Sequence, residues 1–288
     1  MKDIGKVKTY IGIDIEYEYG KNNILTLSQK LYIESLAKRY NIENSKLFKT
    51  PMEINIKLEK SDINEDIKYR NLIGALLYIS SGTKPDISFS VNYLSRFQNS
   101  YNEMHFRYAL RVLKYVYLTR ELKLKYCKSN NADILDCFID ADWAGDIVDR
   151  KSTTGFFIRF FGNSISWKSK KQNSVTKSFT FAEYIALSEA VTEVNFLVCL
   201  INDIFVEVCR PVKIYEDNSG AVAISKYGNF TKNSKHIEVH YHFIHENVKQ
   251  GNIEVVKIES ENNIADILTK ALGNVKFIKF REMLNLKV

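Results

Sequence analysis

Cysteine is scarce and unpatterned: Cys127, Cys137, Cys199 and Cys209 are the four in 288 residues, with no CxxC spacing among them. This argues against a zinc knuckle or a disulfide framework, and because two of the four fall inside apolar runs, reduced thiols of an intracellular, cytoplasmic protein are expected. Proline is rarer, at three residues, and glycine contributes twelve. No proline- or glycine-rich low-complexity tract interrupts the chain, and no internal repeat is visible. The N-terminal stretch MKDIGKVKTY has no apolar core of signal-peptide length, and no apolar run reaches the roughly 18 residues of a membrane span. A soluble chain without a membrane partner is expected. What is present, 45% hydrophobic and 26% charged residues, suffices for one large domain or two smaller ones. The formal charge of +7 and pI near 9.0 suit a polyanionic partner, although Lys and Arg spread along a whole chain also fit an ordinary solvated surface.

Periodicity divides the chain. Residues 10–19 alternate apolar and polar, and the turn Gly20-Lys21-Asn22-Asn23 leads into Ile24 to Leu27, which predicts a β-hairpin. Ser28 is placed to cap a helix over 29–40 with Leu31, Ile33, Leu36 and Ala37 as its apolar stripe. Residues 48–66 read as an extended linker, 69–81 as an apolar helix, Lys84-Pro85-Asp86 as a break, and 87–97 as its resumption. A third helix is expected over 105–117, with Arg107, Arg111 and Lys114 on a basic face. From residue 135 the order becomes three strands (near 135–141, 154–161 and 163–168), a long helix over 179–205, a strand over 212–216, helices over 218–227 and 236–250, a strand over 253–258, and a last helix over 264–272.

Acidic residues recur at these boundaries: Asp140 at the end of the first of those strands, Glu183 in FAEYIALSEA, Asp217 in IYEDNSGA and Asp266 in NNIADILTK. One isolated aspartate reads as solvated surface, but four separated carboxylates able to converge are what a divalent-metal site needs. Asp142, two residues along the same strand face, is the rival of Asp140. Glu189, Glu193, Glu216, Glu259 and Glu261 read as solvated acids. His236, His240, His242 and His245 have spacings that could gather imidazoles, but with no cysteine or paired acid to complete a site they read as a polar helix face. Trp143 and Trp167 read as core anchors. Lys168, Lys170, Lys171 and Lys177, with Arg150, form the candidate phosphate-binding patch, and the Arg107 to Lys114 helix is the alternative path.

Several ordered stretches carry a more specific signal. Asp140-Ala141-Asp142-Trp143-Ala144-Gly145, Lys151-Ser152-Thr153-Thr154-Gly155-Phe156, Ile165-Ser166-Trp167-Lys168-Ser169-Lys170-Lys171-Gln172, Ala182-Glu183-Tyr184, Asp217-Asn218, Lys235-His236-Ile237 and Ala265-Asp266-Ile267-Leu268-Thr269-Lys270 resemble the ribonuclease H region of copia-type LTR retrotransposon Pol polyproteins. Upstream, Met1 to Gly5, Tyr10 to Ile13, Leu27-Ser28-Gln29, Thr50-Pro51-Met52, Tyr69-Arg70, Ile73-Gly74 and Lys84-Pro85-Asp86-Ile87 through Phe97 resemble the end of the reverse transcriptase of the same polyprotein.

This resemblance implies an α/β chain. Residues 134–273 would form a ribonuclease H-like mixed five-stranded sheet with flanking helices, preceded over 1–130 by a partial reverse-transcriptase palm, thumb and connection region (α+β) and followed by a helical tail over 274–288. It further implies Mg²⁺-dependent endonucleolytic cleavage of the RNA strand of RNA–DNA hybrids. Asp140, Glu183, Asp217 and Asp266 would be the catalytic and metal-binding residues around two Mg²⁺ (or Mn²⁺) ions about 4 Å apart, and Lys168, Lys170, Lys171, Lys177 and His236 would contact nucleic acid. In the family the polymerase aspartates lie upstream of the MKDIG-like segment. No polymerase activity is therefore expected, and the upstream reverse-transcriptase segment becomes an implied partner, with a virus-like particle or the nucleus as further implied locations. A binding remnant without hydrolysis is the alternative. Phe181 stands where the family has an acid two residues before the glutamate, and Thr231 and Asn233 stand where it has His and Arg.

Overall fold

A computed structural model describes residues 5–20, 23–61, 68–129, 132–204, 207–227 and 238–288. The chain divides into two compact units, Met1–Lys128 together with Ala271–Val288, and Ser129–Lys270.

In the first unit, β1 (Thr9–Tyr10) turns at Ile11 and Gly12, both at positive φ, into β2 (Ile13–Glu18), which pairs antiparallel with β3 (Ile24–Ser28). Ser28 Oγ accepts the Lys30 amide at 3.2 Å just before α1 (Lys30–Arg39), but the N-cap is Gln29 rather than the expected Ser28, and it has no side-chain cap bond. Ile33, Leu36 and Ala37 are buried, whereas Leu31, expected in the same stripe, is exposed. At 100° per residue a position two before Ile33 points to the opposite face. Helix α2 (Tyr69–Gly82), a 3₁₀ turn at Pro85–Ile87 and α3 (Ser88–Ser95) follow the proline break. Helix α4 (Glu103–Leu118) begins two residues earlier than the apolar pattern indicates, because the Asn102 side chain accepts the Met104 and His105 amides at 3.1 and 3.3 Å. Strand β4 (Lys123–Tyr126) pairs with β3.

The second unit contains β5 (Leu135–Asp142), β6 (Thr153–Phe160), β7 (Asn163–Lys171), α5 (Phe179–Ile204), β8 (Val212–Glu216), α6 (Ser219–Tyr227), α7 (Glu238–Lys249) and β9 (Ile253–Lys257), then a 3₁₀ turn at Ile264–Leu268. The sheet order is β7-β6-β5-β8-β9, with β5, β6 and β7 antiparallel and β8 and β9 parallel to β5. This is the ribonuclease H-like mixed sheet with flanking helices. Phe161 and Gly162, both at positive φ, form the two-residue link from β6 to β7.

The core of this unit lies between the sheet and α5. Cys137, Ile139, Phe156, Ile158, Ile214 and Val255 meet Leu187, Val191, Val194 and Val198. By length and composition α5 could cross a membrane, a property no uninterrupted apolar run of the sequence displays. Its inner face is occupied by the sheet, and Phe181, in place of the family's acid, packs against the same core.

Residues 274–288, expected as a helical tail, form α8 (Asn274–Met283) and then β10 (Leu286–Lys287), which pairs with β4 in the first unit. That unit is thus an α+β body with the antiparallel order β1-β2-β3-β4-β10. Cys137 is buried, and Cys127, Cys199 and Cys209 are exposed, none of the four in a disulfide.

Candidate metal centre

Strand β5 is buried on both faces except at its last residue. Its parallel pairing with β8 sets Phe138 against Tyr215, and the same register carried two residues further brings Asp140 level with Asp217. Helix α5 approaches the strand end closely because the contact is made of small side chains: Ala141 packs with Ala182 and Ala186. Glu183, between those alanines, is fully buried. Ligand atoms of Asp140, Glu183 and Asp217 lie within 4.8 Å of one another. Among the described residues, neither Glu183 carboxylate oxygen has a hydrogen-bond partner, nor does Asp217 Oδ1. A buried carboxylate without donors is costly, and a hard cation in that gap would satisfy it.

The 3₁₀ turn closes the other side. Asn263 Nδ2 donates to the Ile139 carbonyl at 2.7 Å while its Oδ1 accepts the Ala265 amide at 3.2 Å. Thr269 donates to Asp140, and Lys270 Nζ lies 2.7 Å from Asp266 Oδ1 and 3.6 Å from Asp140 Oδ2. Room for this turn comes from Gly155, paired with Asp140 across the ladder: a Cβ there would lie 2.6 Å from Thr269 Cγ2 and 2.9 Å from Leu268 Cβ.

Burial sets the electrostatics. It pushes the Asp140 carboxyl up to about 7, with Lys270 and Thr269 pulling down and Asp266 and Asp217 adding to the rise. Burial also raises Glu183 well above the carboxylate range, reinforced by Glu216, Asp140 and Asp217. For Lys270, burial would lower the ammonium, but Asp140 and Asp266 more than offset it and hold it above its ordinary value.

Of the four acids expected from sequence, three converge directly and the fourth, Asp266, joins through Lys270. Asp142 belongs elsewhere, since its carboxylate lies against Gly145, where a Cβ would come within 1.6 Å of Oδ2. Glu216, expected as solvated, is fully buried, accepts the Asn218 amide at 2.7 Å and is raised well above its ordinary value by burial, with Asp217 and Asp140 adding to the rise. The alternation of VKIYE along β8 carries the signal, because Val212, Ile214 and Glu216 share one buried face.

The lysine patch is ion-paired. Lys168 and Lys170 lie 3.2 and 3.7 Å from Glu189, and Lys171 lies 2.7 Å from Asp146 and 2.9 Å from Asp149. Glu189 is therefore a partner of the patch rather than a free surface acid, and Glu193 accepts Ser166 Oγ at 2.9 Å. Lys177 is exposed. Trp143, expected in the core, is 46% exposed with Nε1 donating to the Thr176 carbonyl at 3.2 Å. In the alternative basic helix, Arg107 pairs with Glu103 and Arg111 with Glu53. His236, Thr231 and Asn233 lie outside the described residues. His240 Nδ1 lies 2.9 Å from Ser188 Oγ, and His242 lies 3.9 Å from Glu238.

The chain is 35% identical over 295 aligned positions to the retrovirus-related Pol polyprotein of transposon TNT 1-94 from Nicotiana tabacum, covering 99% of this chain and 22% of that one. Against the retrovirus-related Pol polyprotein of transposon RE1 from Arabidopsis thaliana it is 36% identical over 259, covering 89% and 18%. The chain belongs to the retrovirus-related Pol polyproteins of copia-type transposons. It spans about a fifth of the length of these Pol relatives. Among solved structures, LC11-RNase H1, isolated from compost by a metagenomic approach, is 20% identical with a TM-score of 0.38, covering 51% of this chain and 97% of that one. No protein-family profile matches the chain.

Proposed function

We propose that the Ser129–Lys270 unit of this Pol segment is a divalent-metal-dependent ribonuclease H that cuts the RNA strand of an RNA–DNA hybrid during reverse transcription. The observation that carries the reading is the convergence of Asp140, Glu183 and Asp217 within 4.8 Å around buried carboxylate oxygens that lack donors among the described residues. Oxygen donors of this kind suit Mg²⁺ or Mn²⁺, which, when bound, polarises a phosphate and acidifies a water. Asp140, Glu183 and Asp217 are the residues that would hold it, with Asp266 and Glu216 beside them.

The chain's own side chains have separate tasks in this reading. Thr269 fixes the rotamer of Asp140 through its hydroxyl, Asn263 ties the 3₁₀ turn to β5, and Lys270 offsets part of the negative charge that would otherwise repel a phosphodiester. Lys168, Lys170, Lys171 and Lys177 would follow the hybrid backbone, exchanging Glu189, Asp146 and Asp149 for phosphates. The first unit is proposed as the end of the reverse-transcriptase region, acting together with the polymerase segment of the same polyprotein. Selection of RNA would come from 2′-hydroxyl contacts.

The test is cleavage of a labelled RNA–DNA hybrid by the full chain in Mg²⁺, in chelator and in Asp140→Asn, beside a filter-binding assay. Cleavage in Mg²⁺ that chelator abolishes and Asp140→Asn lowers at least about 100-fold is expected, on the scale of losing an electrostatic catalytic group. Undiminished binding with no metal-dependent cleavage would replace this reading by a nucleic-acid-binding remnant.

A further inference from the structure

The acidic cluster is asymmetric. On the side made by Asp140, Glu183 and Asp217, carboxylate oxygens face one another, and among the described residues neither buried Glu183 oxygen has a donor. On the side made by Asp140 and Asp266, a cation is already present. Lys270 Nζ lies 2.7 Å from Asp266 Oδ1 and 3.6 Å from Asp140 Oδ2, reaching from a side chain 41% exposed to carboxylates that are 1% and 2% exposed.

The chain holds Lys270 there by several constraints. Lys270 stands four residues after Asp266, and its amide donates to the Asp266 carbonyl at 3.2 Å. Its neighbour Thr269 is tied to Asp140, and Asn263 anchors the start of the same turn to β5. Lys257, at the carboxyl end of β9, donates to the Asp217 and Ile258 carbonyls.

We propose that Lys270 is a built-in counter-cation that occupies the Asp140–Asp266 half of the centre. The nucleic acid-free protein then takes a single divalent ion, held by Asp140, Glu183 and Asp217. This rests on reading the cluster as a metal centre. A divalent ion between Asp140 and Asp266 would share both carboxylates with the ammonium, and like charges a few ångströms apart in a site of low effective dielectric repel strongly. A second ion therefore binds only when Lys270 is withdrawn or its charge removed. The same lysine relieves carboxylate repulsion before any metal arrives, which keeps the cluster assembled in the metal-free chain.

The experiment is Mn²⁺ binding to the full chain without nucleic acid, counted by electron paramagnetic resonance of free Mn²⁺ and by titration calorimetry. The wild type and Lys270→Arg are expected to bind one ion per chain, and Lys270→Gln two. Asp266→Asn should retain the first ion with affinity within about threefold of wild type, because Asp266 is outside its ligand set. If Lys270→Gln fails to fold, the wild-type count and Asp266→Asn still decide. Two ions in the wild type, one in a folded Lys270→Gln, or loss of the first ion in Asp266→Asn would each overturn the counter-cation and leave the metal centre standing. No Mn²⁺ bound by the folded wild type would overturn the metal-centre reading itself.

Discussion

Asp140 titrates far from where its sequence position alone would put it. Its folded value of about 7 stands above the roughly 4 of an unfolded aspartate, so between those values the folded chain holds a proton that the unfolded chain has released. The resulting stabilisation is complete below pH 4 and lost as pH rises through 7. Chelator-treated protein should accordingly melt at a lower temperature at pH 8 than at pH 6, and Asp140→Asn should flatten that fall. Mg²⁺, which needs the ionised carboxylate, should raise the melting temperature more at pH 8 than at pH 6. A metal-free melting temperature that climbs over this interval would contradict the buried-carboxylate assignment. Glu189 gives a second residue-level prediction. Glu189→Gln removes the acid paired with Lys168 and Lys170, so hybrid binding should tighten and its slope against log salt should steepen by roughly 0.7 to 0.9 for each phosphate that a freed lysine neutralises. An unchanged slope would place the nucleic-acid path elsewhere.

Among the elements, the 3₁₀ turn at Ile264–Leu268 has the greatest leverage on the site, and Gly155 decides where it sits. Thr269, Leu268 and the Ala265 carbonyl all lie within 3.2 Å of the position a Cβ would take. Gly155→Ala should force the turn off β6, costing about 1–3 kcal/mol by overpacking and weakening Mn²⁺ binding through the loss of Thr269's hold on Asp140. Urea denaturation with and without Mn²⁺ measures both. An alanine variant as stable as wild type would mean that the turn is free to move. Helix α5 shows the complementary effect: its alanines at 182 and 186 permit close approach to Ala141 and so carry Glu183 to the cluster.

For the whole molecule, the last residues belong to the body that the first residues begin. Phe277 and Phe280 are buried, and β10 extends the sheet of the first unit, with Lys125 N donating to Asn285 O at 3.0 Å. Removing residues 271–288 should destabilise the first unit, since each phenylalanine buried is worth about 1.5–3 kcal/mol. Hydrogen exchange should accelerate at Lys123–Tyr126, while protection of β5, β6, β8 and β9 persists. Equal loss of protection in both sheets would show that the two units unfold together.

The sequence by itself determined the strands and α-helices of the Ser129–Lys270 unit and three of the acids that meet there, whereas the helix expected over 264–272 is only the 3₁₀ turn Ile264–Leu268. Alternation, apolar runs and helical spacing are local properties, and Asp140, Glu183 and Asp217 stand at the ends of elements those patterns define. Tertiary structure alone decided what surrounds them. The alternation along β8 puts Glu216 on the face of Val212 and Ile214, but its full burial follows only because other elements cover that face. Trp143 has the local character of a core residue and is half exposed because the turn after β5 carries it outward. Lys270 is four residues from Asp266 and 130 positions from Asp140, and nothing local couples it to the latter. Burial and charge pairing depend on which surfaces the folded chain brings together, and those pairings form only when the 3₁₀ turn docks on Gly155.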